Sequence, residues 1–149
     1  LEPGLHGLSN HLLDTPWPKL QRVRGAVQDW LARADAQPGD PAADAAWLMQ
    51  VFANRERSAA AHDPASGLAP EWERTLSAPF VLNPQYGTRC TTVLLFGHDG
   101  RAWISERRFD AGGASTGQSE WRLNAGEWPA ADAPQATRPR GEPSGDRPL

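Results

Sequence analysis

Asn10 lies in LSNHLLDTPW, residues 8–17, between a leucine-bearing stretch and a tryptophan framed by two prolines. A carboxamide in such a turn can cap or brace the backbone, and local hydrogen-bond chemistry favours that role. It can also aim its N–H at the oxyanion that develops during acyl transfer. Arg89, in NPQYGTRCTTVLL at 83–95, stands at the mouth of an otherwise apolar strand. A guanidinium there either holds a carboxylate bidentately or points at solvent, and the residues alone do not choose. Cys90 follows directly. A nucleophilic thiol needs a base or a helix N-terminus beside it. Arg89 does not supply that setting, because successive strand residues face opposite ways, so an inert strand thiol is expected.

Metal chemistry finds little support. His6 and His11 are five residues apart, His62 falls in a Pro- and Ala-rich loop, and His98 sits in a turn signal. None of these spacings resembles a zinc framework, and a lone cysteine offers no paired thiolate. No metal is expected, and His11 is the histidine kept in reserve.

The elements that must position these groups can be read from hydrophobic period and punctuation. Leu5, Leu8, Leu12 and Leu13 among glycines and polar residues suggest a short strand and turn over residues 1–13. Asp14 or Thr15 is expected to cap the following helix, with Pro16 and Pro18 setting its path and Trp17 covering its start. Leu20, Val23, Val27, Trp30 and Leu31 then form a helical stripe that ends before Pro38-Gly39. Asp40-Pro41 opens a second helix, with Ala45, Leu48, Val51 and Phe52 on one face. Residues 58–70 read as a loop, with a brief element around Trp72. From Phe80 the period shortens: FVL, CTTVLLFG and GRAWISERRF read as extended, and Asp99-Gly100 signals a hairpin between the last two. SEWRLN at 119–124 gives a further strand. Helices followed by strands indicate an α+β fold, with helices layered on an antiparallel sheet. This core is thin, and the helices' apolar faces call for a second sheet. Residues 127–149, rich in Pro, Ala and Gly, bury too little apolar surface to offset their ordering entropy and are expected to be disordered.

Composition narrows the class. The chain has 149 residues, 22% of them charged, with a net charge of −3. That balance disfavours nucleic acid as the main partner, and no apolar run reaches the length of a membrane span. One cysteine and no signal peptide fit the cytoplasm. The abundance of Trp, Ala and Arg suggests a bacterium of high genomic G+C content.

GLHGLSNHLLDTPWPKLQRVR and FVLNPQYGTRCTTVLLFGHDGRAWISERRFD together resemble the NRDE protein family, also called the transport and Golgi organisation protein 2 family. The resemblance is close over 4–26 and 79–110, and residues 1–126 are identified with the C-terminal part of such a domain. That family carries a cysteine after the initiator methionine and an Asn-Arg-Asp-Glu motif soon after; neither occurs here, and ANRERS at 53–58 is treated as coincidence. The expected partner is therefore the missing N-terminal half of the domain. The resemblance implies a fold like that of N-terminal nucleophile hydrolases, an αββα sandwich of two sheets between helices. In cysteine enzymes of that class, such as penicillin V acylase and bile salt hydrolase, an Asn after a strand helps form the oxyanion hole and an Arg lies near the nucleophile. By that likeness Asn10 and Arg89 are the candidate oxyanion and substrate-positioning residues. Without the N-terminal thiol no acyl-enzyme can form, and no hydrolase activity is expected of this chain alone.

Two alternatives stand beside this reading. One is a ligand-binding or trafficking protein, handling haem or lipid, in which a small molecule fills the pocket and His6 or His11 would meet the haem. The other is an interaction domain that uses exposed apolar helix faces.

Overall fold

A computed structural model describes residues 1–36, 39–58 and 67–127. The first helix, α1, runs Pro18–Ala36, the second, α2, Pro41–Phe52, and a short third, α3, Pro70–Leu76. Three strands follow: β1 Cys90–Phe96, β2 Ala102–Phe109 and β3 Ser115–Leu123. They form one antiparallel sheet in the order β1-β2-β3. The fold class is α+β, as the element order implies.

Punctuation explains the helix limits. Asp40 holds an extended backbone, and its carboxylate accepts from the N–H of Ala42 while Pro41 occupies the first turn. Such a cap contributes about 1 kcal/mol. At the start of α1 the expectation fails: Thr15 does not cap, since its hydroxyl donates to the carbonyl of Leu12 at 2.8 Å and accepts from no described N–H of the helix. Pro18 opens the helix instead.

The core joins α2 to the sheet. Ala45, Leu48 and Met49 pack on Val93 and Trp103, with Val27, Trp30, Trp47 and Leu95 around them. Burial of each large side chain contributes roughly 1.5–3 kcal/mol. Met49 takes the place expected for Phe52, which stays 38% exposed at the helix end. α1 packs chiefly on α2 and lays Val27 and Trp30 against the same core.

Register assigns each strand a covered face and an open one. Leu94, Ile104 and Trp121 align across the sheet on the side away from α2, as do Phe96, Ala102 and Leu123. Phe96 remains 62% exposed, Leu94 51% and Trp121 49%. The larger uncovered apolar surface lies on this sheet face, because α2 spends most of its apolar face on β1 and β2, while Leu31 and Phe52 leave some on the helices.

Two further expectations are corrected. Residues 1–13 form no strand: the N–H of Asp14 donates to the carbonyl of Gly7 at 2.7 Å and folds this segment into a loop. FVL at 80–82 is not extended in the sheet; Phe80 donates its N–H to Asn54 in the turn after α2. β3 begins at Ser115, earlier than expected, with a bulge opposite Arg108 and Phe109. Disorder of 127–149 concerns residues that, beyond Glu127, lie outside the described ones. Among the described residues, no helix is long and apolar enough to cross a membrane.

Candidate functional site

The loop that carries Asn10 is built on Asp14, which adopts φ 58. Asp and Asn tolerate this left-handed region better than most side chains. One carboxylate oxygen accepts from the Gly7 N–H at 2.8 Å and from Arg24 at 3.3 Å; the other meets His6 Nδ1 at 2.7 Å. Gly7 has no room for a side chain, since a Cβ there would collide with Leu20. The other nitrogen of His6, Nε2, faces the carbonyl of Glu2 at 2.8 Å. Both ring nitrogens thus face acceptors, which suits the imidazolium. The hydrogen bond to Asp14, then that to Glu2, raises the His6 pKa above its ordinary value. The hydrogen bond from His6, then that from the Gly7 N–H, lowers that of Asp14. With both nitrogens engaged, His6 is poorly placed as a haem ligand. His11 contacts Thr15 Oγ1 at 3.2 Å from the surface, and His62 lies outside the described residues.

Asn10 projects from this loop, exposed. Its Oδ1 accepts from Ser9 Oγ at 3.0 Å and from Lys19 Nζ at 3.2 Å. Lys19, in the first turn of α1, also donates to the carbonyl of Leu76 at 2.6 Å and lies over the Trp17 ring, 5.6 Å from its centroid. The N–H2 of Asn10 makes no hydrogen bond to a described residue, so the amide presents a donor outward.

Arg89 immediately precedes β1, exposed, and its carbonyl accepts from Phe109 N–H at 2.8 Å. Its guanidinium pairs with no carboxylate among the described residues. The neighbouring turn is clamped by side chains. Arg55 donates to the carbonyl of Gly113 at 2.9 Å and stacks on Phe80, which meets Phe109 edge-on at 4.8 Å. Thr88 and Val81 exchange bonds of 2.9 and 3.0 Å across the turn before Arg89. Segment 76–89 is therefore held at one end by Lys19, beside Asn10, and ends at Arg89. No hydrogen bond or ion pair joins Asn10 to Arg89. Cys90 is free and exposed, and no base is hydrogen-bonded to it.

A separate open cavity of about 770 Å³ lies between the start of α2 and the β1–β2 turn, lined by Trp30, Asp44, Leu95, Phe96, Trp103 and Arg122 among others. Arg122 stacks on Trp103 at 4.3 Å, and Trp30 Nε1 donates to Asp44 at 3.0 Å. Neither Asn10 nor Arg89 lines it. Among the described residues, no group of three His, Cys, Asp or Glu side chains could hold a metal.

The loop and hairpin that carry these side chains define an α+β domain with two marked segments, 7–19 and 83–110. Residues 1–111 match the family Transport and Golgi organisation 2, and the chain belongs to it. It is 38% identical over 112 residues to the bovine Transport and Golgi organization protein 2 homolog, covering 72% of this chain and 39% of that protein. The human homolog is 34% identical over 110 residues, with the same coverage. The mouse Transport and Golgi organization 2 homolog is 31% identical over 133 residues, 86% of this chain and 45% of that protein. The chain spans less than half the length of these relatives. All three are mammalian and lend no support to the bacterial source suggested by composition.

Sequence reasoning missed Asp14 as the hub of the loop and Lys19 as the neighbour of Asn10. For Asp14 the available signal was an acidic residue closing a Gly-containing loop. For Lys19 there was none, since its second anchor lies 57 residues away.

Proposed function

We propose that this chain supplies two elements of an acyl-transfer site that cleaves an amide or related acyl bond. Asn10 donates to the developing oxyanion, and Arg89 holds a carboxylate of the substrate. The observation that carries the reading is the exposed Asn10 amide, whose oxygen is occupied by two donors while its N–H2 bonds to no described residue.

The nucleophile comes from the N-terminal part of the same polypeptide, and Cys90 does not serve as one. The open apolar face of Leu94, Phe96 and Trp121 supports a second sheet from that part, completing an αββα sandwich like that of N-terminal nucleophile hydrolases. A cytoplasmic setting belongs to the same reading, since a single thiol requires no oxidising compartment.

A second reading is a carrier of haem or lipid without turnover: the cavity beside Trp103 joins apolar walls (Trp30, Leu95, Phe96) to charged ones (Asp44, Arg101, Arg122), a lining for an amphipathic small molecule.

The test is kinetic. The intact source polypeptide is assayed on amide and thioester substrates beside the isolated chain. The isolated chain should be inactive. In the intact polypeptide, Asn10→Ala should lower kcat by about 10²–10³-fold, the usual effect of losing one oxyanion donor, while Arg89→Ala should raise KM for carboxylate-bearing substrates. Hydrolysis by the isolated chain that survives Cys90→Ala would overturn the reading. Binding without turnover by the intact polypeptide would leave the carrier reading in its place.

A further inference from the structure

A carboxamide is nearly symmetric in shape, so packing alone barely distinguishes its oxygen from its nitrogen, and a half-turn about χ2 exchanges donor and acceptor. An amide that serves as an oxyanion donor must therefore be held in one sense. Of the two groups that meet Asn10 Oδ1, Ser9 cannot do this, because a hydroxyl rotates to donate or to accept. Lys19 can. Its ammonium has three donors and no acceptor, so the flipped amide would set N–H2 against N–H3+.

We propose that Lys19 is the positioning residue that fixes the sense of the Asn10 amide and turns its N–H2 outward. The inference deepens the acyl-transfer reading and rests on it for its catalytic consequence, but the positioning can be tested by itself. Lys19 is well placed for the task. It follows Pro18 in the first turn of α1, donates at 2.6 Å to the carbonyl of Leu76 at the end of α3, and lies against the buried Trp17 ring. The orientation of an exposed loop side chain is thus tied to two helices and a packed indole. A hydrogen bond from a full charge is also about twice as strong as a neutral one. By drawing electron density toward Oδ1 it makes the N–H2 a better donor.

The experiment is NMR of the intact source polypeptide labelled with 15N at asparagine. Four asparagines occur in this chain, Asn10, Asn54, Asn83 and Asn124. The Asn10 side-chain pair is identified by its loss in Asn10→Asp. Lys19→Met should move that pair to the positions of a freely rotating exposed amide, with Asn54, Asn83 and Asn124 unmoved as internal controls of folding. Lys19→Arg, which keeps donors and no acceptor, should restore the original positions. Ser9→Ala should shift the pair less than Lys19→Met. An unmoved Asn10 pair in a folded Lys19→Met protein would overturn the proposal. If Lys19→Met unfolds the chain, Lys19→Arg decides: an Asn10 pair at the freely rotating positions in that variant would overturn it as well. Should the Asn10 pair respond as expected while Asn10→Ala leaves hydrolysis unchanged, the positioning stands and the oxyanion role falls.

Discussion

The two segments that carry the family likeness are held together by opposite means. Residues 7–19 contain little regular structure and owe their shape to the backbone bond from Asp14 N–H to the Gly7 carbonyl and to side chains around it: the Asp14 carboxylate, the His6 ring, and the Lys19 ammonium on Asn10. Residues 83–110 owe theirs to a backbone ladder, β1 on β2 in unbroken register from Cys90 opposite Arg108 to Phe96 opposite Ala102. In the first segment the identity of nearly every polar residue sets the conformation. In the second, alternation suffices, and Arg89 is delivered to the sheet end by register and by its carbonyl, which accepts from the Phe109 N–H at 2.8 Å. Asn10 is accordingly tethered through its oxygen, whereas the Arg89 guanidinium pairs with no carboxylate among the described residues. That division suits their proposed roles, since an oxyanion donor must be fixed before reaction and a carboxylate clamp can close on its substrate.

The comparison can be broken from the ladder side with the larger effect. Gly113 has φ 73, and a Cβ there would lie 3.1 Å from both Arg55 and Leu82 and 3.2 Å from Phe80. Gly113→Ala should therefore cost about 2–3 kcal/mol, from backbone strain and the displaced clamp. Chemical denaturation should show a lower midpoint with an unchanged slope. A neutral result would mean that the turn beside Phe109 is not held as described.

From the loop side the expected effect is smaller and depends on pH. His6 has a pKa raised above 6.5, so its contribution is complete below that value and is lost as pH rises through the raised one. Asp14 is lowered from 3.8, so its contribution is present above that value and is lost as pH falls through the lowered one. The loop should be best ordered between 3.8 and 6.5. Hydrogen exchange at the Gly7 and Asp14 N–H groups, corrected for intrinsic rate, should show protection declining as pH rises above 6.5. His6→Gln should remove that decline while leaving exchange in β1 and β2 untouched. An equal decline in both segments would erase the distinction between them.

The same contrast explains what the sequence disclosed. The start of α2 was legible in Asp40-Pro41, and the hairpin in Asp99-Gly100, because local backbone chemistry decides both. The layering of helices on an antiparallel sheet was legible in the change of period near Phe80. β3 began earlier than its alternation indicated because Gly117 pairs with Arg108, whose guanidinium occupies the space a side chain would take. Residues 1–13 were misread as extended because spaced leucines mimic a strand when the decisive contacts are two bonds between Gly7 and Asp14, one backbone to backbone and one to the carboxylate. Asn10 and Arg89 were named as candidates from type, setting and family likeness. The support of Asn10 could not be named, because it depends on α3 lying beside α1, a tertiary fact.

The most direct measurement is intact mass spectrometry of the source polypeptide after reaction with an activated acyl ester. The account predicts a single acyl adduct on a residue outside these 149, formed more slowly in Asn10→Ala. An adduct on Cys90, or no adduct at all, would contradict it.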